Sequence, residues 1–271
     1  MNDIWKELSD LIEDFNKIGF DNIADFEKFH YYSIVYNSTA LEGSTLTELD
    51  TQLLLDDNIT AKGKPMEHHL MVKDNYEALL LALKFANNKE LPSIKLLKDL
   101  NACNMKNTGQ LVNSALGESD GRKGEFRLTQ AFSEALGYYL APQKIPTATE
   151  MLCNEIKSKM IKGLTNKEIY KLSFAAHFNL VYIHPWSDGN KRTSRLFMNY
   201  IQTYYGVPLS KVYVEDSKEY LQALKKSKES ENIETFNEFM AKQQVKFLDE
   251  KIKEYNIEQK RSQSLGMSFL F

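Results

Sequence analysis

Twelve consecutive residues carry most of the chemistry this chain can be expected to do: His184-Pro185-Trp186-Ser187-Asp188-Gly189-Asn190-Lys191-Arg192-Thr193-Ser194-Arg195. A histidine titrates near neutrality and suits a general base that takes a proton from a hydroxyl. Asp188 is an oxygen ligand on a turn, of the kind that holds Mg²⁺ beside substrate phosphates. Gly189 permits a tight turn, and a helix beginning there would leave backbone N–H groups of Gly189 and Asn190 free to cradle an anion. Arg192 and Arg195 are three apart, so on a helix they share a face and offer planar forks to phosphate oxygens. Lys191 adds a point charge. The set describes phosphoryl or nucleotidyl transfer: a metal and cations neutralise phosphate charge, a cradle aligns it, and a base activates an acceptor.

The elements on either side must hold these groups in place. Apolar residues near a 3.6-residue period predict helices over most of 3–35, with a break at Gly19, and over 31–42 before Gly43. Further helices are expected from Thr47, over Met66–Asn87, and from Ser93 to about Asn104. The same reading places helices at 147–162, 166–183, 190–205, 217–227 and 232–255, with a loose last dozen residues. The pattern breaks at 117–131, where Gly117, Gly121 and Gly124 precede the alternating Glu125-Phe126-Arg127-Leu128-Thr129. That stretch predicts a loop entering one short β-hairpin, closed by Pro142 and Pro146. The fold class is therefore all-α with a single hairpin.

The run from His184 to Arg195 closely resembles the signature of the Fic family, H-P-F-x-D/E-G-N-G/K-R-x-x-R. Ala175 to Ile183 is similar to the helix that leads into it, Gly124-Glu125-Phe126-Arg127 to the start of the family's flap hairpin, Asn75 to Leu79 to an early core helix, and Tyr220 to Leu224 to the nucleotide-side helix. The likeness spans about 30–245. It implies a Fic-like helical bundle with a catalytic core at 61–245, an N-terminal helical region at 1–60 and a helix end and tail at 246–271.

The resemblance also implies an activity: transfer of AMP from ATP to a hydroxyl side chain (Ser, Thr or Tyr) of a target protein. His184 would be the base, and Asp188 the ligand of Mg²⁺ or Mn²⁺. Gly189, Asn190, Lys191, Arg192 and Arg195 would hold the phosphates, and Tyr220 would line the base pocket. Phe126, Arg127, Leu128 and Thr129 would form the flap edge that docks the target by strand addition. Ser38-Thr39-Ala40-Leu41-Glu42-Gly43 resembles the family's inhibitory motif, S/T-x-x-x-E-G/N. It implies that Ser38, Glu42 and Gly43 are regulatory, with Glu42 pairing with Arg195 to deny the γ-phosphate its anchor.

Three departures matter. Trp186 stands for the usual Phe and should still anchor the loop. Lys191 stands for the commoner Gly and also occurs in Doc toxins, which transfer the γ-phosphate. Lys225-Lys226-Ser227-Lys228 stands where some relatives place an adenine-contacting Asn, which leaves room for another nucleoside triphosphate. A Doc-like protein kinase, a de-AMPylase using the same glutamate, and a non-catalytic helical module are the competing readings.

Composition is ordinary for a soluble globular protein. The chain has 271 residues, 42% of them hydrophobic and 26% charged, with a net charge of −3. That balance provides no bulk drive toward nucleic acid or an anionic membrane. Cys103 and Cys153 read as reduced core residues, and a start without a basic-then-apolar leader predicts a cytoplasmic location. The family likeness allows a homodimer. His177 is expected to be a packed histidine that buttresses the loop, His68 and His69 to be surface residues, and the Lys/Glu-rich stretch 218–231 to be a solvated face.

Overall fold

The structure is a computed structural model that describes residues 3–20 and 25–267. Its helices are α1 (Ile4–Ile18), α2 (Phe26–Ala40), α3 (Glu48–Asp57), α4 (Met66–Asn87), α5 (Ile94–Asn104), α6 (Ile145–Lys159), α7 (Asn166–Ile183), α8 (Asn190–Tyr205), α9 (Ser217–Glu229) and α10 (Glu234–Met267). Their starts follow from local chemistry. The Thr47 and Thr165 hydroxyls accept from the third-residue N–H of α3 and α7, whose Asp50 and Glu168 reach back to complete capping boxes. Ser93 caps α5 in the same way, accepting from the Leu96 N–H. Left-handed Gly19 and Gly206 close α1 and α8.

Helices α7 and α8 are the central partition. On one side, Leu172, Ala176 and Leu180 of α7 join Leu196, Phe197, Tyr200 and Ile201 of α8 in a core shared with α2, α4, α5 and α6. On the other, Tyr170, Phe174 and Val181 face a second core built from α1, α9 and α10. Helices from both ends of the chain thus pack against α7. No described helix is long and apolar enough to cross a membrane.

The expectation of one hairpin is corrected to two. Strands β1 (Leu111–Ser114) and β2 (Gly117–Asp120) pair antiparallel, with Val112 opposite Ser119. Strands β3 (Phe132–Ser133) and β4 (Gly137–Tyr138) form the second hairpin. Residues 125–131, where the alternation suggested entry into a strand, stay irregular. The reason is a side chain. The Arg127 guanidinium donates to the Thr129 and Leu140 carbonyls, so a side chain and not a neighbouring strand satisfies them.

Two other expectations change. Pro146 opens α6, which starts at Ile145, because proline suits a first helical turn where no N–H is required. α10 runs on to Met267, past the expected stop at 255, since nothing between Glu234 and Gln263 breaks a helix. The expected loose end therefore keeps only 268–271, which lie outside the described residues.

Candidate active site

Helix α7 ends on His184 itself. Its backbone is left-handed (φ 50°, ψ 61°) and its N–H donates to the Leu180 carbonyl at 3.0 Å. The chain then turns through Pro185, which cannot continue a helix. Trp186 is fully buried and donates from its indole to the Gly124 carbonyl at 3.0 Å. Asn190 staples the turn: its side chain accepts from the Trp186 N–H at 2.9 Å and donates to the Trp186 carbonyl at 2.7 Å. Gly189 has φ 77°, and a Cβ there would lie 2.7 Å from Met105 Sδ and 2.8 Å from Asn101 Nδ2. Only glycine fits both the backbone and the space.

The second loop to reach the site comes from the 125–131 segment. Arg127, almost fully buried, donates from Nε to the His184 carbonyl at 2.7 Å, and its own N–H donates to the Pro185 carbonyl at 2.9 Å. Arg127 was expected on the docking edge, but its side chain is a clamp inside the protein. Phe126 is half-buried against Trp186, whereas Leu128 is partly exposed and Thr129 exposed.

Helix α8 begins at the turn, so its first N–H groups have no intrahelical acceptors. Arg192 is 2% exposed; its Nη2 lies 3.4 Å from Asp188 Oδ2 and 3.3 Å from Met105 Sδ, while Nε and Nη1 are buried without partners. Buried guanidinium donors left open are costly unless something fills them. The Asp188 carboxylate is 73% exposed and accepts from the Gly189 N–H. Among the described residues no cluster of three or more metal-ligating side chains occurs. One exposed carboxylate beside the open N–H groups at the start of α8 fits Mg²⁺ brought in on a phosphate ligand better than a protein-caged ion.

Arg195 is 3% exposed and points at the turn after α2. It donates to the Ser38 hydroxyl at 3.0 Å, to the Ser38 carbonyl at 2.8 Å and to Glu42 Oε1 at 2.8 Å. Lys191 Nζ reaches Glu42 Oε2, also at 2.8 Å. Burial raises the Glu42 pKa, but Arg195 and then Lys191 outweigh it and hold the carboxyl below its ordinary value. The tight turn holding Glu42 uses Gly43 at φ 96° and bonds from the Glu42 and Ser44 N–H groups to the Thr39 carbonyl. With Glu42 in place, the cleft that it lines with His184, Asp188, Lys191 and Arg192 measures about 50 Å³. A ligand pocket normally offers roughly 300–1,000 Å³.

Tyr220 is buried beneath Arg195, its hydroxyl 2.8 Å from His177 Nε2, and does not line the cleft in this arrangement. His177 is fully buried behind the loop. His69, expected on the surface, is 2% exposed: Nε2 accepts from the Ala61 N–H and Nδ1 bonds the Pro65 carbonyl, so it ties down the loop before α4. His68 is half-buried and accepts from the Thr45 N–H. Lys228, expected on a solvated face, donates to flap carbonyls.

Three residues at the site escaped sequence reading. Asn101 of α5 donates to the Asp188 carbonyl at 3.3 Å and to the Thr193 hydroxyl at 3.1 Å. Met105, one turn on, floors Gly189 and Arg192. A polar residue beside the buried leucines Leu96, Leu97 and Leu100 was the one available signal for Asn101. Tyr139 stacks on the His184 ring and had no sequence signal.

Burial, and next Arg127, push the His184 pKa down to about 4, so its imidazole is neutral and able to accept a proton at neutral pH. Burial likewise lowers His30 to about 3 and carries His177 well below its usual value. Each would take a proton near pH 6.5 once unfolded. Their stabilisation is therefore complete above 6.5 and is lost as the pH falls toward the folded values. Glu42 acts in the same direction at lower pH. The thermal midpoint is expected to fall steeply between pH 6.5 and 4. A midpoint that stayed level across that interval would contradict the assigned neutral histidines.

Residues 92–202 match the Fic/DOC family. Over those residues the chain is similar to Fic/DOC domains. The protein adenylyltransferase Fic of Drosophila grimshawi is 28% identical over 226 residues, covering 82% of this chain and 43% of that protein. The corresponding protein of Drosophila melanogaster is 28% identical over the same length, covering 82% and 42%. The chain thus spans less than half the length of these curated relatives. Among solved structures, a Fic domain containing signaling protein from Bacteroides thetaiotaomicron superposes with a TM-score of 0.77 at 21% identity, covering 91% of this chain and 96% of that one. Fic-1 (aa134–508) from C. elegans gives 0.72 at 22% identity, covering 92% and 70%. The fold is the all-α Fic fold.

Proposed function

We propose that this protein is an adenylyltransferase that moves AMP from ATP to a hydroxyl side chain of a target protein and is held in check by Glu42. One observation carries the reading. Arg192 keeps two buried donors without a protein partner and lines the same cleft as a neutral histidine. Phosphate oxygens are the groups such donors fit.

In this reading, the first-turn N–H groups of α8 and Arg192 hold the α- and β-phosphates, and Arg195 and Lys191 hold the γ-phosphate once Glu42 moves. Mg²⁺ bound through Asp188 would supply charge neutralisation on the phosphates. The target hydroxyl oxygen forms a bond to the α-phosphorus while His184 accepts its proton. The bond from that phosphorus to the bridging oxygen breaks, and pyrophosphate leaves with the electron pair. The flap edge near Leu128 and Thr129 presents the target segment. Residues 61–245 form the catalytic core in this proposal, 1–60 carry the lock, and 246–271 complete α10 and the tail. Lys191 favours one alternative, transfer of the γ-phosphate with the nucleotide reversed.

The test uses Glu42→Gly protein with Mg²⁺ and ATP labelled at either the α- or the γ-phosphate, with His184→Ala in the same background as control. Intact mass should increase by one AMP and carry the α label, and His184→Ala should remove the gain. A γ label on protein would replace this reading with phosphate transfer. Label on neither self nor lysate protein would reject both.

A further inference from the structure

His184 is fixed at its backbone by Arg127, and its imidazole has the Val181 backbone as a hydrogen-bonding neighbour, but one contact at the ring edge leaves the ring plane to be set, because the second side-chain torsion of histidine has broad minima. A general base is commonly oriented by a third group that holds the ring. Among the described residues no carboxylate is hydrogen-bonded to the His184 ring. Its face is covered by Tyr139, whose ring lies nearly parallel to the imidazole, with centroids 3.7 Å apart and planes 14° from each other.

Tyr139 is itself immobilised. It is 8% exposed. Its N–H donates to the Ala131 carbonyl at 3.1 Å, its hydroxyl donates to Ser133 Oγ at 3.1 Å, and its carbonyl accepts from Gln130 at 2.8 Å. Each of those contacts lies within the β3–β4 hairpin or its approach. The hairpin is tied in turn to α9: Lys228 Nζ donates to the Leu136 and Tyr138 carbonyls at 3.3 and 3.4 Å while sitting 4.7 Å over the Tyr182 ring.

We propose that Tyr139 is the positioning residue for His184, holding the imidazole in the orientation that receives the acceptor proton. The inference rests on the transferase reading. It joins two features otherwise separate, because the hairpin beside the target-docking edge also sets the base. A flap displaced from its tether by Lys228 would release the ring and idle the base even with ATP in place. The charged groups around the ring are Arg127 from the flap approach, Lys191 from α8 and Glu42 from the turn after α2. None of them restrains the ring as a stacked face does.

The test is run in Glu42→Gly protein, comparing Tyr139→Phe, Tyr139→Leu and Lys228→Met. Transfer kinetics are measured together with the His184 imidazole proton resonances, assigned by their loss in His184→Gln. The intact protein should show His184 resonances displaced by the ring current of Tyr139. Tyr139→Phe should keep that displacement and a kcat within about twofold, whereas Tyr139→Leu should lose both, with kcat down about tenfold or more and ATP affinity unchanged. Lys228→Met, which keeps both ring residues but loosens the hairpin that carries Tyr139, should lower kcat by about threefold with a partial loss of the displacement. Tyr139→Leu with unchanged kcat would overturn the inference. So would a loss of ATP affinity matching the loss in kcat, since that marks general damage to the site. An inert Glu42→Gly parent would instead reject the transferase reading and the positioning role with it, a result distinct from an active parent indifferent to Tyr139.

Discussion

Glu42→Gly should raise the initial rate of AMP incorporation about a hundredfold, the equivalent of removing an interaction of about 2.7 kcal/mol that competes with the nucleotide. The argument starts from what the carboxylate holds. Its two oxygens each take a cation at 2.8 Å, Arg195 on one side and Lys191 on the other. Both are candidate ligands of the γ-phosphate, so the glutamate occupies the phosphate's place with a like charge. Removing it frees two cations at once and opens the 50 Å³ cleft at its mouth. Arg195 keeps its bonds to Ser38, so the guanidinium should stay in position for the incoming phosphate.

Lys191 gives the lock a second cation that a glycine at that position could not supply. In wild-type protein Lys191→Ala therefore weakens the lock, while in the Glu42→Gly background it removes a phosphate ligand. Glu42→Gln should fall between wild type and Glu42→Gly, because the amide keeps the shape but not the charge. The measurements are the rate at fixed ATP and the ATP Kd, the latter with His184→Ala added to stop turnover. If Glu42→Gly left both within about twofold of wild type, the ion pairs would be structural and the lock would have to be abandoned.

Trp186→Ala should produce the largest loss of stability, about 3–5 kcal/mol. Trp186 is fully buried, packs near Phe126 at 6.1 Å and sits in the core shared by α4, α5 and α8. Truncation leaves a cavity under the loop and removes the donor to the Gly124 carbonyl. For a chain of this size, thermal unfolding should move down by roughly 10 °C. The loop should also loosen, because Asn190 grips both backbone polar groups of Trp186. ATP affinity should therefore fall together with the midpoint. A loss below about 1 kcal/mol would mean that the loop is held by Asn101 and Arg127 without its buried anchor.

Much of this was legible from residue types and periods. The helices flanking the motif appear where the 3.6-residue period, the capping threonines and the terminal glycines place them, with α4 and α7 at the expected bounds. These signals are local, and local signals survive in a single sequence. The misplaced hairpin shows where that stops. The alternation at 125–129 looks like a strand, but Arg127 takes the nearby carbonyls through its side chain, a competition that no period reveals. His69 was misread for a related reason. Two adjacent histidines read as a surface pair, and the burial of His69 comes from the loop at 61–65 folding back over it.

The site divides in the same way. Sequence alone determined the chemical inventory, namely a histidine, a carboxylate, a glycine turn and two arginines at helical spacing, because each depends on residue type and on neighbours within one or two turns. Only the tertiary structure decided what surrounds them. Glu42 meets Arg195 across 153 residues, Arg127 reaches His184 across 57, and Tyr139 lies flat on the base from a separate hairpin. Whether His184 is neutral, whether Arg192 is left with open donors and whether the cleft is closed all depend on those distant partners. Desolvation and charge pairing act through space, and the distances that govern them exist only once the chain has packed.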